Sequence, residues 1–465
     1  SGHTPAERRG RGAFQETSAL APASRSLFEP GSIFHYASVV EHPAELPLIA
    51  ARLRGGVTRP NGFVAHLGLP PSQQTAAAPR PRATASLELV TPCLDPGAVA
   101  RCVELLTEAP FVIWAGFGAR HAAREVRALA ELANARVMCS PRGKGVFPES
   151  HPLYLGVTGF GGHAAVLEHA RQGGHGRVLV LGSRLGEMTS FWTEELVPAG
   201  GIVHVDLDSD AFGAAYPELQ TYGFRAEIRS FVGGLIDAWP RHWQRREPEG
   251  SRVGLARREP ATSAVGDGPC PVRVRPSALM RAVQREIVER THAVVLTEAG
   301  NSFAFGAHCL RFDGPRYRSS TGFGAMGHAA AGVLGAALAC KGKAFAILGD
   351  GAMLMQNEIN TAATYGIDAV WIVLNDGGYR MIEQGMRSVG WQPFATEFVP
   401  TDFVAVARAM GGQGVRVEHE AELGPALARA REATGPFVVD VLIDASELAP
   451  SGSRNQSLQR QGLKA

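Results

Sequence analysis

The sequence lacks the features that mark several large classes of protein. Its six cysteines in 465 residues are scattered and form no CxxC pair, which argues against a structural zinc site or a disulfide framework. No apolar run is as long as a membrane span, and the first ten residues lack the apolar stretch of a secretory signal. With 46 basic and 44 acidic residues, the chain has no charge excess to attract nucleic acid or an anionic membrane. We therefore expect a soluble, cytoplasmic protein.

Glycines and buried-strand patterns are plentiful instead. The 55 glycines suit the tight turns of an α/β protein. Seven continuous apolar runs indicate strands covered on both faces, at 111–115, 177–181, 202–206, 294–296, 344–348, 370–374 and 437–442. Helical patterns lie between them, for instance over 120–134 and 326–340. Strands that alternate with helices predict parallel sheets.

Two stretches without helical or strand periodicity, residues 74–86 and 245–276, divide the chain into blocks. We predict three doubly wound parallel-sheet domains and a polar tail, at 1–75, 95–240, 277–445 and 446–465. The first block contains two candidate strands, 32–37 and 62–67, and one candidate helix, 43–54. So few elements rarely form a stable domain by themselves, so we expect this block to be the second half of a larger domain.

The strongest local signal lies between residues 348 and 376. One predicted strand ends just before a Gly-Asp-Gly turn around Asp350, and the next ends at an Asn-Asp pair that contains Asp376. A right-handed strand–helix–strand unit places both carboxylates at the carboxyl ends of neighbouring strands, the edge where open α/β sheets bind ligands. Mg²⁺ prefers such oxygen ligands. We therefore predict a magnesium site formed by Asp350, Asp376 and the backbone carbonyl of Gly378.

Taken together, the motifs resemble those of the thiamine-diphosphate-dependent enzymes, in particular the acetolactate synthase and acyloin-forming carboligase branch. The Gly-Asp-Gly turn and the Asn-Asp pair are similar to the cofactor motif of that family. Residues 320–327 (STGFGAMG) resemble its aminopyrimidine-contacting segment, and residues 298–302 (EAGNS) its diphosphate-contacting segment. Residues 12–16 (GAFQE) resemble a stretch of the pyrimidine-binding domain. The blocks would then be half of a pyrimidine-binding domain, a central domain and a diphosphate- and metal-binding domain.

The resemblance also implies roles for individual residues. The Gly324 carbonyl would accept a hydrogen bond from the cofactor's 4′-amino group, Met326 would bend the cofactor, and Gln15 would face the substrate. We predict these three as catalytic residues. Twelve residues are predicted to bind the cofactor: Gly300, Asn301, Ser302, Gly324, Met326, Gly349, Asp350, Gly351, Ala352, Asp376, Tyr379 and Met381.

The implied activity is that of a carboligase or decarboxylase that depends on thiamine diphosphate and Mg²⁺. It would remove carbon dioxide from a 2-oxo acid and join the remainder to a second carbonyl substrate, giving an acyloin or a 2-hydroxy-2-acyl acid. Because members of this family build their sites between subunits, we expect a homo-oligomer, either a dimer or a tetramer.

Three departures from the family pattern refine this prediction. Asp376 stands where many members have asparagine, which adds a negative charge beside the diphosphate. Gly385 stands where acetolactate synthases commonly carry a tryptophan, so we expect space for an acceptor larger than pyruvate. Residues 183–187 (SRLGE) replace the arginine- and aspartate-rich stretch of flavin-binding synthases, so we expect no FAD.

Several alternatives stay open. The glutamate that activates the cofactor should lie upstream of residues 12–16; it would come from a preceding segment, from a separate or cleaved chain, or be lost. If the glutamate is lost, the chain would be a non-catalytic cofactor-binding subunit. A simple 2-oxo acid decarboxylase is a separate alternative. A nicotinamide oxidoreductase is discounted because His121 stands where the third glycine of the dinucleotide fingerprint begun at 116–118 should fall. We interpret His308 and His328 as structural residues.

Overall fold

The computed structural model describes residues 27, 31, 33–58, 62–78, 94–173, 176–240, 273–355 and 358–460. The chain divides into two compact units, Ser1–Pro92 and Cys93–Ala465. The predicted substrate-facing residue Gln15 lies outside the described residues, as does most of both predicted linkers. None of the described helices combines the length and the apolar character that crossing a bilayer requires.

In the first unit, β1 (Tyr36–Val39) pairs in parallel with β2 (Ala65–Gly68). Helix α1 (Leu46–Val57) lies between them in the chain, and the short α2 (Pro71–Gln74) follows β2. The strands predicted at 32–37 and 62–67 begin three to four residues too early and end one to two residues too early. Every residue of β1 is only partly buried, so no clean periodicity marked its limits.

The second unit begins with a sheet of six parallel strands in the order β5-β4-β3-β6-β7-β8. Its strands are β3 (Phe111–Ala115), β4 (Arg136–Cys139), β5 (Tyr154–Val157), β6 (Arg177–Leu181), β7 (Ile202–Asp206) and β8 (Thr221–Arg225). Its helices are α3 (Pro96–Thr107), α4 (Ala123–Leu132), α5 (Ala164–Arg171), α6 (Glu187–Ser190) and α7 (Ile228–Ala238). We call this the central sheet.

A second sheet of six parallel strands has the order β10-β9-β11-β12-β14-β13 and is called the C-terminal sheet. Its strands are β9 (Val294–Thr297), β10 (Tyr317–Ser319), β11 (Ala344–Gly349), β12 (Ala369–Asn375), β13 (Gln413–Val417) and β14 (Phe437–Leu442). Its helices are α8 (Pro276–Val283), α9 (Asn301–Cys309), α10 (His328–Cys340), α11 (Asp350–Met353), α12 (Glu358–Tyr365), α13 (Arg380–Ser388), α14 (Phe403–Ala409), α15 (Leu423–Glu432) and α16 (Gly452–Arg460). Both sheets confirm the predicted α/β class.

Helices cover the C-terminal sheet on both faces. Phe345 and Ile347 of β11 pack into one core with α8, α9 and α15, while Ala346 and Leu348 pack into another with α10, α12 and α14. Successive residues of a strand point to opposite faces, so the positions of β11, and those of β12 up to Leu374, have to be apolar or glycine. This is the reason that these strands appear in the sequence as continuous apolar runs.

The order of the strands creates a crevice at one edge of the C-terminal sheet. After β9 the chain forms β10 on one side of it and then returns to form β11 on the other side. Loops that leave neighbouring strands in opposite directions open a gap between them, and α/β proteins bind ligands in this gap. The turn after β9 begins at Glu298 and the turn after β11 at Asp350, so both turns meet at this crevice.

Candidate active site

Asp350 connects the two turns that carry the predicted metal ligands. Its side chain is buried, and one carboxylate oxygen accepts the Gly351 N–H at 2.7 Å. The other oxygen accepts the N–H groups of Asp376 at 3.1 Å and Gly377 at 2.7 Å. Burial raises the pKa of Asp350, although these N–H donors act in the opposite direction. The carboxylate therefore fixes the end of β11 relative to the end of β12.

Asp376 is a second buried carboxylate beside the first. Burial, followed by the charge of Asp350, raises its pKa to about 7, and Arg380 partly offsets this rise. The Arg380 Nε lies 3.4 Å from Asp376 Oδ2, and its Nη2 donates to the Asp376 carbonyl oxygen at 3.0 Å. The same guanidinium also pairs with Glu383 at 2.5 Å. One shared arginine therefore faces several carboxylates, and a divalent cation would supply the positive charge that the pair needs.

A cavity of about 450 Å³ opens at this crevice. Within the described residues, every predicted cofactor or metal residue lines it: Gly300, Asn301, Ser302, Gly324, Met326, Gly349, Asp350, Gly351, Ala352, Asp376, Gly378, Tyr379 and Met381. The structure thus brings together residues from four separate stretches of the sequence. The individual roles of these residues stay predictions.

Glycines shape the wall of the cavity in two ways. A Cβ atom placed on Gly300, Gly324 or Gly349 would meet no atom within 4 Å, so a side chain there would project into open space at the cavity wall. Gly300 and Gly324 also have φ angles of +119° and +68°, which disfavour other residues. Gly351 differs, because a Cβ there would lie 2.6 Å from the Tyr379 ring. Gly300, Gly324 and Gly349 therefore leave room for a ligand to approach the backbone closely, whereas Gly351 makes room for the Tyr379 ring.

A buried glutamate fixes the remaining two segments of the wall. One Glu298 oxygen accepts the N–H groups of Ala329 at 2.8 Å and Ala330 at 3.3 Å, which caps α10 just after the turn that contains Met326. Ser302 donates its hydroxyl hydrogen to the Glu298 carbonyl oxygen at 3.0 Å. Because the hydroxyl hydrogen is donated to Glu298, Ser302 would bind an anion through its backbone N–H at the start of α9.

Other cavity residues were not predicted from the sequence. They include Phe305, Leu374, Arg380, Gln384, Ile443, Asp444 and Glu447. Gln384 follows the predicted Met381 by three positions on α13, so helical spacing could have indicated it. Residues 443–447 follow β14, and their position depends on the strand order, which no local motif announced.

The expected space beside Gly385 is filled. A Cβ atom on Gly385 would lie 3.1 Å from Nη1 and 3.7 Å from Nη2 of Arg454, a residue of α16. The guanidinium thus occupies space at this position, and an acceptor larger than pyruvate stays a prediction. The glycine makes room for a guanidinium that belongs to the chain itself.

The two histidines interpreted as structural lie in different surroundings. His308 Nδ1 lies 3.3 Å from the Gly161 carbonyl oxygen, and its ring packs edge-on against His163 at 5.0 Å. Burial lowers the pKa of His308. These contacts between the two sheets agree with a structural role. His328 is the first residue of α10, and its interpretation stays untested.

The sequences of both sheets match domain models of one known enzyme family. Residues 99–233 match the model of the central domain of thiamine pyrophosphate enzymes. Residues 298–441 match the model of the C-terminal, thiamine-pyrophosphate-binding domain of the same enzymes, and this range contains Asp350 and Asp376. The chain belongs to the thiamine pyrophosphate enzyme family. The predicted resemblance is thereby confirmed.

Named relatives of this chain come mainly from the acetolactate synthases. A Mycobacterium tuberculosis protein named as an acetolactate synthase large subunit is 32% identical over 329 residues, 69% of this chain and 57% of that protein. The Escherichia coli acetolactate synthase isozyme 1 large subunit is 26% identical over 369 residues, 75% of this chain and 61% of that protein. A Rhizobium meliloti protein named for sulfoacetaldehyde acetyltransferase is 26% identical over 91% of this chain and 74% of that protein. The chain thus spans about 60% of the length of the first two relatives.

The residues of the cavity fit thiamine diphosphate and a divalent cation. The Asn301 Oδ1 atom is buried at the cavity wall and has no hydrogen-bond partner among the described residues. The described residues contain no cluster of three or more histidine, cysteine, aspartate or glutamate side chains with metal-binding geometry. Two carboxylates and one carbonyl are nevertheless the kind of incomplete oxygen set that suits Mg²⁺, which keeps positions for water and phosphate. The identity of the metal stays a prediction.

Proposed function

We propose that this protein is a carboligase that depends on thiamine diphosphate and Mg²⁺, uses a 2-oxo acid as donor and needs no flavin. One observation carries the proposal: two buried, mutually close carboxylates line a cavity at the strand switch of the thiamine-pyrophosphate-binding domain. The names of the relatives point to the same class of chemistry. Acetolactate carries a carboxylate and sulfoacetaldehyde a sulfonate, so we extend the proposal to substrates with an anionic group.

Each part of the cavity has a task in this proposal. Asp350, Asp376 and the Gly378 carbonyl would hold the metal, and Asn301 together with the first N–H groups of α9 would bind the diphosphate. Gly324 and Met326 would position the cofactor's rings. Thiamine diphosphate, when bound, supplies the electron sink that decarboxylation of a 2-oxo acid requires.

The apolar part of the wall has a separate task. Phe305, Leu374 and Ile443 line the cavity and would exclude water from the reacting carbon. Water that reached the site would protonate the reactive carbon before it could attack a second carbonyl. Met381 and Ile382 would border the substrates on the α13 side.

Exposed apolar side chains support a homo-oligomer. Phe323 is 100% exposed, and Met326, Met355 and Ile382 are 45%, 52% and 52% exposed. All four belong to segments that line or adjoin the cavity. Apolar groups grouped around a cavity mark a contact surface, and we propose that a second subunit of a dimer or tetramer covers them. The activating glutamate and Gln15 would lie on the pyrimidine-binding side of the completed site.

The test is a product analysis with purified protein, thiamine diphosphate, Mg²⁺ and a panel of 2-oxo acids. We expect release of carbon dioxide together with a carbon–carbon-joined product detected by mass spectrometry. The Asp350→Ala variant should lose both signals, while Asp237→Asn, an exposed residue of α7, should keep them. Carbon dioxide without a joined product would show a simple decarboxylase, and cofactor binding without either signal a non-catalytic subunit. The visible absorption spectrum of the protein tests the absence of flavin.

A further inference from the structure

Arg380 contacts both residues of the turn that is predicted to hold the metal. Its Nη2 donates to the Asp376 carbonyl oxygen at 3.0 Å, and its backbone N–H donates to the Gly378 carbonyl oxygen at 3.0 Å. The guanidinium also lies against the Gly378 backbone, since a Cβ atom on that glycine would meet the Arg380 Cζ at 2.9 Å. Arg380 therefore ties the turn after β12 to the start of α13.

The guanidinium faces the Asp376 carboxylate without occupying its oxygens. The Arg380 Nε lies 3.4 Å from Asp376 Oδ2, and this buried nitrogen has no hydrogen-bond partner among the described residues. The contact is therefore ionic and not a hydrogen bond. A carboxylate oxygen that accepts no hydrogen bond from the arginine keeps its lone pairs for a cation. Arg380 thus offsets the charge of Asp376 and leaves the ligand atom free.

Arg380 belongs to a chain of alternating charges on α13. Its Nη1 pairs with Glu383 Oε2 at 2.5 Å, and Glu383 Oε1 pairs with Arg387 Nη2 at 2.8 Å. Two anions alternate with two cations along this chain: Asp376, Arg380, Glu383 and Arg387. Their charges sum to zero. The extra carboxylate of Asp376 is therefore neutralised by a network that ends in solvent, where Arg387 is 63% exposed.

The position of Arg380 is unfavourable for a cation unless these partners are present. It is the first residue of α13, where the helix dipole is positive, and its side chain is largely buried. Glu397 lies 3.7 Å away but is exposed, so solvent screens that contact. Asp350 forms no ion pair with any described residue and is held by N–H donors. Asp350 is therefore the carboxylate at the crevice that keeps its charge.

We propose that Arg380 is a positioning residue that offsets the charge of Asp376, so that the site presents one net negative charge to a metal–diphosphate. This inference rests on the proposed function, which assigns the crevice to that ligand. An unpaired carboxylate beside the metal attracts the cation but repels the phosphates. Arg380 therefore sets the balance between metal binding and diphosphate binding, and its removal should shift the two in opposite directions.

The first test measures two affinities of the variant Arg380→Met. Binding of Mn²⁺ alone is followed by electron paramagnetic resonance, and binding of thiamine diphosphate at saturating Mg²⁺ by calorimetry. We expect Mn²⁺ to bind more tightly and thiamine diphosphate to bind more weakly, each by about tenfold, as one unpaired charge at a partly buried site would give. A residue that only holds the turn in shape would weaken both. Weakening of both affinities, or no change in either, overturns the inference.

A rescue experiment separates charge from packing. The double variant Asp376→Asn with Arg380→Met removes both charges and keeps a side-chain oxygen for the metal. Its affinity for thiamine diphosphate should return to within about threefold of the wild type, because distinct deletions of one charge pair are coupled. Arg380→Lys keeps the charge and should behave in the same way. Failure of both variants to restore the affinity would contradict the offset of charge by Arg380.

Arg387→Met is the matched control on the same helix. Solvent screens its exposed charge, so we expect both affinities to stay within about twofold of the wild type. Shifts as large as those of Arg380→Met would mean that any positive charge on α13 has this effect, and the inference fails. If the wild type binds neither Mn²⁺ nor thiamine diphosphate, the proposed function fails and this inference with it. If the wild type binds both and Arg380→Met binds both equally well, the inference alone fails.

Discussion

The central and C-terminal sheets share one architecture but differ at the point where each reverses its strand order. In the C-terminal sheet the turns after β9 and β11 stand apart and border the cavity. In the central sheet the turns after β3 and β6 are joined, since Gly116 N–H donates to the Leu181 carbonyl at 2.8 Å and Gly118 N–H to the Gly182 carbonyl at 2.9 Å. The backbone N–H groups that could bind the phosphates of a dinucleotide at this edge donate instead to carbonyl oxygens of the protein. The same topology therefore gives an open crevice in one case and a closed one in the other.

The charges at the two edges are also of opposite sign. Asp350 and Asp376 meet at the C-terminal edge, whereas Arg120, Arg142 and Arg318 surround the Phe117 ring at the central edge, 4.3 Å, 4.2 Å and 5.6 Å from its centre. A cation site requires the first arrangement and would be impossible in the second. The fold supplies an edge for ligands, but the residues just after the strands decide which chemistry that edge supports.

The largest difference between the two edges is expected when a carboxylate is removed from one edge and a guanidinium from the other. Asp350→Ala should weaken cofactor binding by more than about a hundredfold, since even partners that only support a metal ligand are worth tenfold to a hundredfold. Arg142→Gln should leave cofactor binding unchanged. Calorimetric titration with thiamine diphosphate in Mg²⁺ measures both variants. If Arg142→Gln weakens binding as strongly as Asp350→Ala, the two edges do not differ as described.

A smaller change at the open edge tests how closely its glycines are packed. Gly351→Ala places a Cβ 2.6 Å from the Tyr379 ring, which must then move. We expect about tenfold weaker cofactor binding and a loss of about 1–3 kcal/mol in the free energy of unfolding, as for other overpacked sites. Calorimetry and urea unfolding measure the two quantities. Gly335→Ala is the control, because nothing lies within 4 Å of its Cβ position on α10 and the unfolding free energy should not fall.

The equivalent change at the closed edge should affect stability alone. Gly118→Ala places a Cβ 2.8 Å from the Gly182 Cα, which is backbone and yields with difficulty. We expect a loss of about 1–3 kcal/mol in the free energy of unfolding, with cofactor affinity unchanged. Gly186→Ala, which has open space at its Cβ position, should be neutral in urea unfolding. A large loss of cofactor affinity in Gly118→Ala would mean that the closed edge takes part in the site.

The contact between the two sheets should make stability depend on pH. His163 Nε2 lies 2.9 Å from the His308 carbonyl oxygen, and burial, followed by the charge of Lys144, lowers the pKa of His163 to about 3. Its unfolded pKa is about 6.5, so between these two values the unfolded chain binds a proton that the folded chain does not. Stability is therefore full above pH 6.5 and falls by up to about 1.4 kcal/mol per unit as the pH decreases.

The variant His163→Gln should show a shallower loss of stability with acid than the wild type. Urea unfolding at a series of pH values between 4 and 7 gives both slopes under identical conditions. Identical slopes in the two proteins would show that His163 does not remain neutral in the folded state. The comparison of slopes also removes the contribution of other buried histidines, which titrate in both proteins.

The central strands of both sheets could be predicted because burial on two faces leaves a local pattern. β3, β6, β7 and β14 begin and end at the predicted residues. Five strands were missed. β4, β5 and β10 have only three or four residues each. The edge strands β8 and β13 are longer, but they are largely half-buried or exposed. Their polar positions face solvent, so their apolar residues form no continuous run. Edge strands depend on the neighbour with which they pair, and that neighbour is not visible in the local sequence.

The cavity was predictable to the extent that its residues directly follow strands. Asp350 and Asp376 had this property, and the parallel pairing of β11 with β12 brought them together. Arg380 and Gln384 do not directly follow a strand, and only Gln384 could have been indicated by its helical spacing from Met381. The contact between Gly385 and Arg454 joins positions far apart in the chain and depends on how α16 packs on α13. Such packing is a property of the whole fold, so no local motif predicts it.

The cofactor site at the open edge is tested most directly by titrating the purified protein with thiamine diphosphate, with and without Mg²⁺, by isothermal calorimetry. Because the two carboxylates at the open edge can reach a diphosphate only through a cation, we predict saturable binding that requires Mg²⁺. A chelator should abolish this binding, and so should the Asp350→Ala substitution. Binding of equal strength without a divalent cation, or equal binding by Asp350→Ala, would contradict the assignment of the open edge as the cofactor site.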